Sequence, residues 1–305
     1  MDQTVWTRVD GRDFPVSNLQ KLFWPEEGYS KAHLLQYYLA AGSTMVQYLA
    51  RRPLTVVRYP DGIHGGSFFQ KNCPENAPDW IATLKIPRAE PGESPIRYCL
   101  ANERAAILWL ANQGAIEFHP WPSRQGTLAF PDWAIFDLDP AEPATFQDAV
   151  QAAFWVRQAL DILGLRGYPK TSGATGIHVY VPVYPELTYS QITRFVHAVA
   201  RQIQAAFPDR ITLERPVARR KGKVYIDYLQ NAPGKTIAAP YTVRPLPGAP
   251  VSTPVTWQEL ARGLLPTQFN ILTVPQRLQQ GVDPFRPVLN EPQSLLPFRK
   301  LWQQE

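Results

Sequence analysis

The stretch Asp132-Trp133-Ala134-Ile135-Phe136-Asp137-Leu138-Asp139-Pro140 constrains this chain more than any other. A run of apolar residues leads into two carboxylates spaced two apart. Side chains alternate faces along a strand, so Asp137 and Asp139 share one face, while Phe136 and Leu138 share the other and call for a core. Two carboxylates on one face repel each other and are costly to strip of water together. A divalent cation relieves both problems. Pro140 donates no ladder hydrogen bond, which places the pair at the strand's end, within reach of a substrate. A strand end turning into solvent would carry the same residues, and this segment alone leaves both readings open.

Two further segments bear on the choice. Lys170-Thr171-Ser172-Gly173-Ala174-Thr175-Gly176-Ile177-His178-Val179-Tyr180-Val181-Pro182 reads as a turn of small residues feeding an alternating strand. Gly173 and Gly176 let backbone amides approach an anion closely, and Ser172 adds a hydroxyl. His178 stands on the face opposite Ile177 and Val179, placed to donate to a phosphate oxygen. A plain β-turn is the alternative. Val224-Tyr225-Ile226-Asp227-Tyr228-Leu229 reads as a strand, in which Asp227 is either a third functional carboxylate or an edge residue.

In order, a D-x-D strand, a Ser-Gly-x-x-Gly-x-His strand and a third Asp strand resemble the archaeo-eukaryotic primase superfamily. More closely, the chain resembles the polymerase domain of ligase D, the repair polymerase of non-homologous end joining. Matching stretches run along nearly the whole sequence: Asn18-Leu19-Gln20-Lys21-Leu22-Phe23-Trp24-Pro25, Arg58-Tyr59-Pro60-Asp61-Gly62, Phe68-Phe69-Gln70-Lys71, His119-Pro120-Trp121, Phe136-Asp137-Leu138-Asp139-Pro140 and Tyr241-Thr242-Val243-Arg244. The resemblance implies an α/β (α+β) primase-polymerase fold, with an RNA-recognition-motif-like catalytic sheet and a smaller N-terminal α/β lobe. We expect one domain over 1–305, with the N-terminal lobe at about 1–114, the catalytic lobe at about 115–250 and a C-terminal extension beyond.

What the resemblance implies for the site is specific. Asp137 and Asp139 would bridge two divalent ions, Mn2+ or Mg2+, and Asp227 would ligate the ion at the primer terminus. His119, Ser172, Gly173, Gly176, His178 and Arg244 would bind the incoming NTP or dNTP. Asn18, Lys21 and Lys31 would hold the 5′-phosphate of gapped or broken DNA, Phe68 and Phe69 would stack on bases beside Lys71, and Arg220 would help hold the template. A DNA ligase and the Ku end-binding protein are the implied partners. One departure is visible: where the family commonly has Ser-Gly-Gly-Lys-Gly, this chain has Ser172-Gly173-Ala174-Thr175-Gly176, so the loop lysine that would touch the triphosphate is missing. Lys170 or Lys235 is the candidate substitute.

Residue chemistry by itself leaves blander options. Lys21 and Lys31 suit a terminal phosphate but also read as solvated lysines. Adjacent Phe68 and Phe69 cannot both face one core, so at least one is expected to be exposed, as a stacking platform or a local plug. The run Arg219-Arg220-Lys221-Gly222-Lys223 also reads as a solvated hairpin, and His119 as a satisfied buried histidine. Alternatives to a repair polymerase are a de novo primase, a metal-dependent phosphoesterase and a non-catalytic module that binds DNA ends. The intact acid set argues against the last, and the triphosphate loop argues against the phosphoesterase.

A formal net charge of +5 is compatible with a nucleic-acid partner. The two cysteines, Cys73 and Cys99, show neither metal spacing nor a disulfide framework, which points to a reducing cytoplasm; the expected place within it, given the implied DNA partner, is the nucleoid. No run of about 18 apolar residues is present to span a bilayer. The chain reads as a monomer, either a stand-alone enzyme or one part of a longer protein. Periodicity predicts helices over 30–49 (capped by Ser30), 102–112 (capped by Asn102), 145–163, 189–207 and 256–263. Strands are predicted over 54–59 and 115–119, the latter grouped with the catalytic strands, and low regularity from 274 onward.

Overall fold

An Asp-Gly pair closes the first hairpin. Asp10 and Gly11 take positive φ, 51° and 81°, the backbone that lets a two-residue turn match the twist of its strands. β1 (Val5–Val9) and β2 (Arg12–Val16) therefore pair antiparallel. Periodicity predicted no element here, because each strand is only five residues long and mostly exposed.

The computed structural model describes residues 4–88 and 92–303, which fall into two compact units. The first unit holds the described residues through Trp121, with Ala238–Ser252 and Phe269–Val282. β3 (Leu22–Trp24) and β4 (Tyr29–Ser30) form a small ribbon that leads into α1 (Lys31–Leu49), with Ser30 as N-cap. β5 (Leu54–Arg58) is the hub of a five-stranded sheet. It pairs antiparallel with β6 (Phe68–Gln70), β9 (Ala115–Pro120) and, at Leu54, with β8 (Ile96–Cys99), which also pairs with β7 (Thr83–Ile86). Strand 115–120 thus belongs to this sheet and not with the acidic strands, because its backbone groups pair with β5 from Leu54↔Pro120 to Arg58↔Ala115. α2 (Arg104–Asn112) is capped by Glu103, not Asn102, whose side-chain oxygen instead accepts the Arg51 N–H at 2.7 Å.

The cysteine expectation is corrected. Cys73 and Cys99 form a disulfide, with their Cα atoms 4.9 Å apart across a sequence separation of 26. The loop after β6 and the end of β8 meet because both strands pair with β5, a proximity that residue spacing does not reveal. The argument from cysteine content to a reducing compartment therefore falls. Among the described residues, no helix is long and apolar enough to cross a membrane.

The second unit holds Pro122–Ile237, Thr253–Gln268 and the described residues from Asp283 onward. Its elements run β10 (Trp133–Pro140), α3 (Phe146–Ile162), β11 (Tyr168–Thr171), β12 (Ile177–Pro182), α4 (Tyr189–Ala206), β13 (Ile211–Thr212), α5 (Val217–Arg220) and β14 (Val224–Ile226). The strand order is β11-β12-β10-β14-β13, antiparallel except for β13–β14. Setting β13 aside, this is a β-α-β-β-α-β unit ordered second, third, first, fourth, the arrangement of an RNA-recognition-motif sheet. α3 and α4 pack on β10. Residues expected as irregular tail hold a helix at Thr273–Gln279, in the first unit, and two short helical turns at Pro287–Asn290 and Leu296–Leu301.

β14 meets β10 only over Leu138–Pro140 and ends at Ile226, three residues short of the expected strand. Further back on β10, the Ile135 backbone has no strand beside it on that edge. Asn231, at the end of a 3-10 turn over Tyr228–Asn231, fills the gap. Its Oδ1 accepts the Ile135 N–H at 2.8 Å and its Nδ2 donates to the Ile135 carbonyl at 2.7 Å, so one side chain acts as a missing piece of strand. It is buried. Asn231→Ala strands a buried donor and a buried acceptor, at a cost of roughly 2–4 kcal/mol. Urea unfolding should show that loss. A midpoint equal to the unsubstituted protein's would show that water replaces the amide without penalty.

Candidate functional site

In the second unit, one row of side chains crosses three strands and ends just past a fourth. Lys170 on β11 lies opposite His178 on β12, and His178 lies opposite Asp137 on β10. The β14 register places Asp227 beyond Asp137, whose carbonyl accepts the Asp227 N–H at 2.8 Å. Cross-strand partners face the same way, so a cation, an imidazole and two carboxylates share a face. Asp139 and Tyr225 form the next row. His178 Nε2 stands 3.3 Å from Asp137 Oδ1. Phe136, Leu138, Ile177 and Val179 are wholly buried, as the alternation requires.

Gly176 lets the turn reach this row. A Cβ there would sit 2.5 Å from the Leu138 carbonyl oxygen and 3.4 Å from Asp139 Oδ1. No other residue type fits without moving β10. The Ser172 hydroxyl oxygen accepts the Ala174 N–H at 3.1 Å and the Gly176 N–H at 3.0 Å. These loop amides were expected to face an anion, but here they turn inward to Ser172, because its short side chain reaches them first. Gly173 supplies the positive φ of the turn, 78°, and Thr175 stands exposed at the tip. Lys170 and Thr171, expected within the turn, are strand residues. Lys170 is fully buried, its Nζ 5.9 Å from the Tyr180 ring centroid.

Tyr225 and Arg220 complete this surface. The Tyr225 hydroxyl donates to Asp227 Oδ1 at 3.0 Å. Burial, and then the Asp227 charge, push the Tyr225 hydroxyl well above the usual phenol range. The Arg220 guanidinium lies 3.9 Å from the centre of the Tyr225 ring and donates to the Arg215 carbonyl at 2.9 Å. The basic run around it is a helical turn and not a hairpin, ending at Lys221 and Gly222 with positive φ.

Among the described residues, no three His, Cys, Asp or Glu side chains are grouped so as to hold a metal ion by themselves. The donor chemistry nevertheless fits a hard divalent cation. By register the Asp137 and Asp139 carboxylates share one face with Asp227, and such an ion takes one or two carboxylates and fills its shell with substrate phosphates and water.

The first unit gathers the other expected residues into two places. A cavity of about 270 Å³ is lined by Asn18, Lys21, Lys31 and Arg58, among others. Asn18 takes a left-handed φ of 57°, which Asn tolerates. Lys31 is buried to 4% exposure, with its Nζ donating to the Ser17 carbonyl at 2.7 Å, so it is no solvated lysine. Lys21 pairs with Asp61. Arg58, whose Nε donates to the Gln113 carbonyl at 2.6 Å, was given no role from sequence, although it sits in a matched stretch. Lys71 does not join this cavity; it borders a smaller recess with Gln70 and Asn72.

The second place centres on Glu117. Its carboxylate accepts Arg244 Nε at 2.9 Å and meets His119 Nε2 at 2.8 Å. Glu117 was also missed, though Glu117-x-His119 on a strand puts both on one face. Phe69 lies beside His119, ring centres 6.4 Å apart. Phe68 and Phe69 are 45% and 70% exposed, so both rings are offered to solvent.

The model of the LigD primase-polymerase domain matches residues 30–285. The chain belongs to that family. The bifunctional non-homologous end joining protein LigD of Bacillus subtilis is 35% identical over 279 residues, spanning 91% of this chain and 44% of that protein. The multifunctional LigD of Mycolicibacterium smegmatis is 33% identical over 248 residues, spanning 81% of this chain and 32% of that protein. The chain thus spans less than half the length of these relatives. Among solved structures, the polymerase domain of Mycobacterium tuberculosis ligase D in complex with DNA superposes with a TM-score of 0.84 at 28% identity, covering 91% of this chain and 98% of that one.

In this LigD primase-polymerase domain, Glu117 carries a pH dependence of known sign. Burial pushes its carboxyl up, but the His119 hydrogen bond and the Arg244 charge outweigh burial and hold it below the ordinary carboxylate range. A carboxyl depressed by folding stabilises fully above its unfolded value of about 4.3, and that contribution is lost as pH falls through the lower folded value. Glu117→Gln should therefore flatten the acid limb of stability against pH in urea melts below about pH 5. An acid limb as steep as that of the unsubstituted protein would assign the dependence to other groups.

Proposed function

We propose that this chain is a template-directed nucleotidyltransferase that fills gaps and extends 5′-phosphate-bearing ends at DNA breaks, in non-homologous end joining or related repair. The observation that carries the reading is the cross-strand row. It sets Asp137, Asp227 and His178 on one face beside Asp139, in a chain whose relatives are LigD proteins and whose structural match was solved with DNA. Asp137 and Asp139 would hold two divalent ions, manganese or magnesium, and Asp227 would share the one at the primer terminus. When bound, such ions lower the pKa of a primer 3′-hydroxyl and neutralise a triphosphate and its leaving pyrophosphate.

The chain's own residues position the rest. His178, steadied by Asp137, donates to a phosphate oxygen. Ser172, Gly173 and Gly176 fix the turn that approaches it. Arg244 and His119 take the triphosphate role that the family likeness gives them, and Glu117 orients both. Thr175 leaves the loop one positive charge short, and Lys170 is too deeply buried to replace a lysine at the tip. Asn18, Lys21, Lys31 and Arg58 form a cationic cavity suited to a terminal phosphate, which carries more charge than a diester. Phe68 and Phe69 offer faces on which bases stack whatever their sequence, with Lys71 for the backbone. Arg220 is assigned to the template. The relatives' names motivate a DNA ligase as partner, fused or separate, and the family likeness adds Ku.

Extension of a gapped, 5′-phosphorylated template with each nucleotide type and each metal tests the reading directly. Asp137→Ala or Asp139→Ala should lower extension roughly a thousandfold while leaving DNA affinity largely intact. Near-normal extension by either variant in manganese would remove the central claim.

The cavity makes a separate prediction. The protein should bind a gap with a 5′-phosphate more tightly than one with a 5′-hydroxyl. Lys21→Ala with Lys31→Ala should erase a preference on the order of 2–4 kcal/mol at low salt. Fluorescence anisotropy reads the ratio, and a melting curve guards against misfolding, since Lys31 is buried. Equal affinity of the unsubstituted protein for both gaps would show that the cavity serves another purpose.

A further inference from the structure

We propose that Tyr225 is a positioning residue for Asp227, fixing the carboxylate that the nucleotidyltransferase reading assigns to the primer-side ion; the inference rests on that reading. Asp227 stands where β14 ends and the 3-10 turn begins. Its backbone is tied by the N–H bond to the Asp137 carbonyl at 2.8 Å. That bond still leaves its side chain two rotatable angles to be fixed. The Tyr225 hydroxyl restrains them by donating to Asp227 Oδ1 at 3.0 Å.

The donor is itself held. Tyr225 is 1% exposed, so the phenol cannot swing aside. Its strand position opposite Asp139 is set by backbone pairing. Arg220 lies over its ring at 3.9 Å and is anchored to the Arg215 carbonyl. A guanidinium over a ring face is attracted to it and makes the phenol a stronger donor. Arg220, Tyr225 and Asp227 thus form a short chain in which each group restrains the next. A neutral hydroxyl is suited to this task. It orients the carboxylate while leaving its charge for a cation, where a lysine or arginine would neutralise it. Partners of this kind, one step behind a metal ligand, fix ligand orientation and tune affinity.

The test compares the full chain with Tyr225→Phe, which removes the hydroxyl and keeps the ring and its Arg220 stack. Mn2+ binding to the protein alone is followed by the electron paramagnetic resonance of the free ion. Extension kinetics, gap affinity and melting are measured in parallel. Tyr225→Phe should weaken Mn2+ binding roughly tenfold and raise the Mn2+ needed for half-maximal extension to match. Nucleotide KM, gap affinity and melting temperature should stay near those of the unsubstituted protein. In an Asp227→Asn background the same change should add nothing to the loss of Mn2+ binding. Unchanged Mn2+ affinity, or an equal loss with Asp227→Asn already present, overturns the inference. So does a loss accompanied by parallel falls in gap affinity and melting temperature, which marks a packing residue. If the unsubstituted protein neither binds Mn2+ nor extends a gap, the nucleotidyltransferase reading fails, and this inference fails with it. Normal behaviour of that protein, with Tyr225→Phe matching it, sinks this inference alone.

Discussion

The register of β10 between its two neighbours decides where every acid of the candidate site stands. Side chains repeat with a period of two, so a slip of one residue on β10 would send Asp137 and Asp139 into the core and turn Phe136 and Leu138 outward. Burial of Phe136 and Leu138 resists that slip from one face. Gly176 resists it from the β12 side, because the turn touches the Leu138 carbonyl too closely for any other residue. Asn231 resists it from the β14 side by bonding both backbone groups of Ile135. Three unrelated devices therefore hold one alignment, and the row from Lys170 to Asp227 follows from it.

The electrostatics of the two units follow a common plan. Charged groups are not left to find partners in solvent; backbone carbonyls and buried acids fix them in advance. Lys31 is held by the Ser17 carbonyl, Arg58 by that of Gln113 and Arg220 by that of Arg215. Arg244 is held by Glu117, which also meets His119. A carbonyl orients a cation without cancelling its charge, so each arrangement lowers the cost of ordering the side chain against an anion while leaving its charge in place. Arg244 and Lys21 differ, since Glu117 and Asp61 partly neutralise them.

Much of the fold was legible in the sequence where one period dominates. The D-x-D strand, the His178 strand and the helices at α1, α3 and α4 follow from alternation or from a 3.6-residue repeat bounded by Ser and Thr caps. What escaped depends on the identity of a neighbour and not on the local pattern. The β1–β2 hairpin is too short and exposed for periodicity, although Asp10-Gly11 announces its turn. Asn102 looked like a cap until Arg51 claimed its side chain. β9 looked like a companion of the acidic strands until β5 paired with it. Among the candidate residues of the second unit, Asp137, Asp139, His178 and Asp227 could be picked out from strand context. Tyr225 and Glu117 could not, because their importance comes from hydrogen bonds that exist only once register and packing are fixed. That the Ser172 hydroxyl would accept two amides of its own loop was equally hidden until the turn closed.

The disulfide bears on the aromatic pair in mechanical terms. β6 is three residues long, hydrogen-bonded to β5, and its two phenylalanines face outward, so burial of its own side chains does little to fasten it. Its fixture lies downstream, where Cys73 is bolted to the end of β8. Phe68 and Phe69 are thus mounted like a bracket clamped at one end: stiff because of the clamp, yet with both working surfaces clear. A reductant that opens the clamp would leave the rings in place chemically and loosen their mount. Any measurement of how firmly this strand is held is therefore also a measurement of the chain's thiol state.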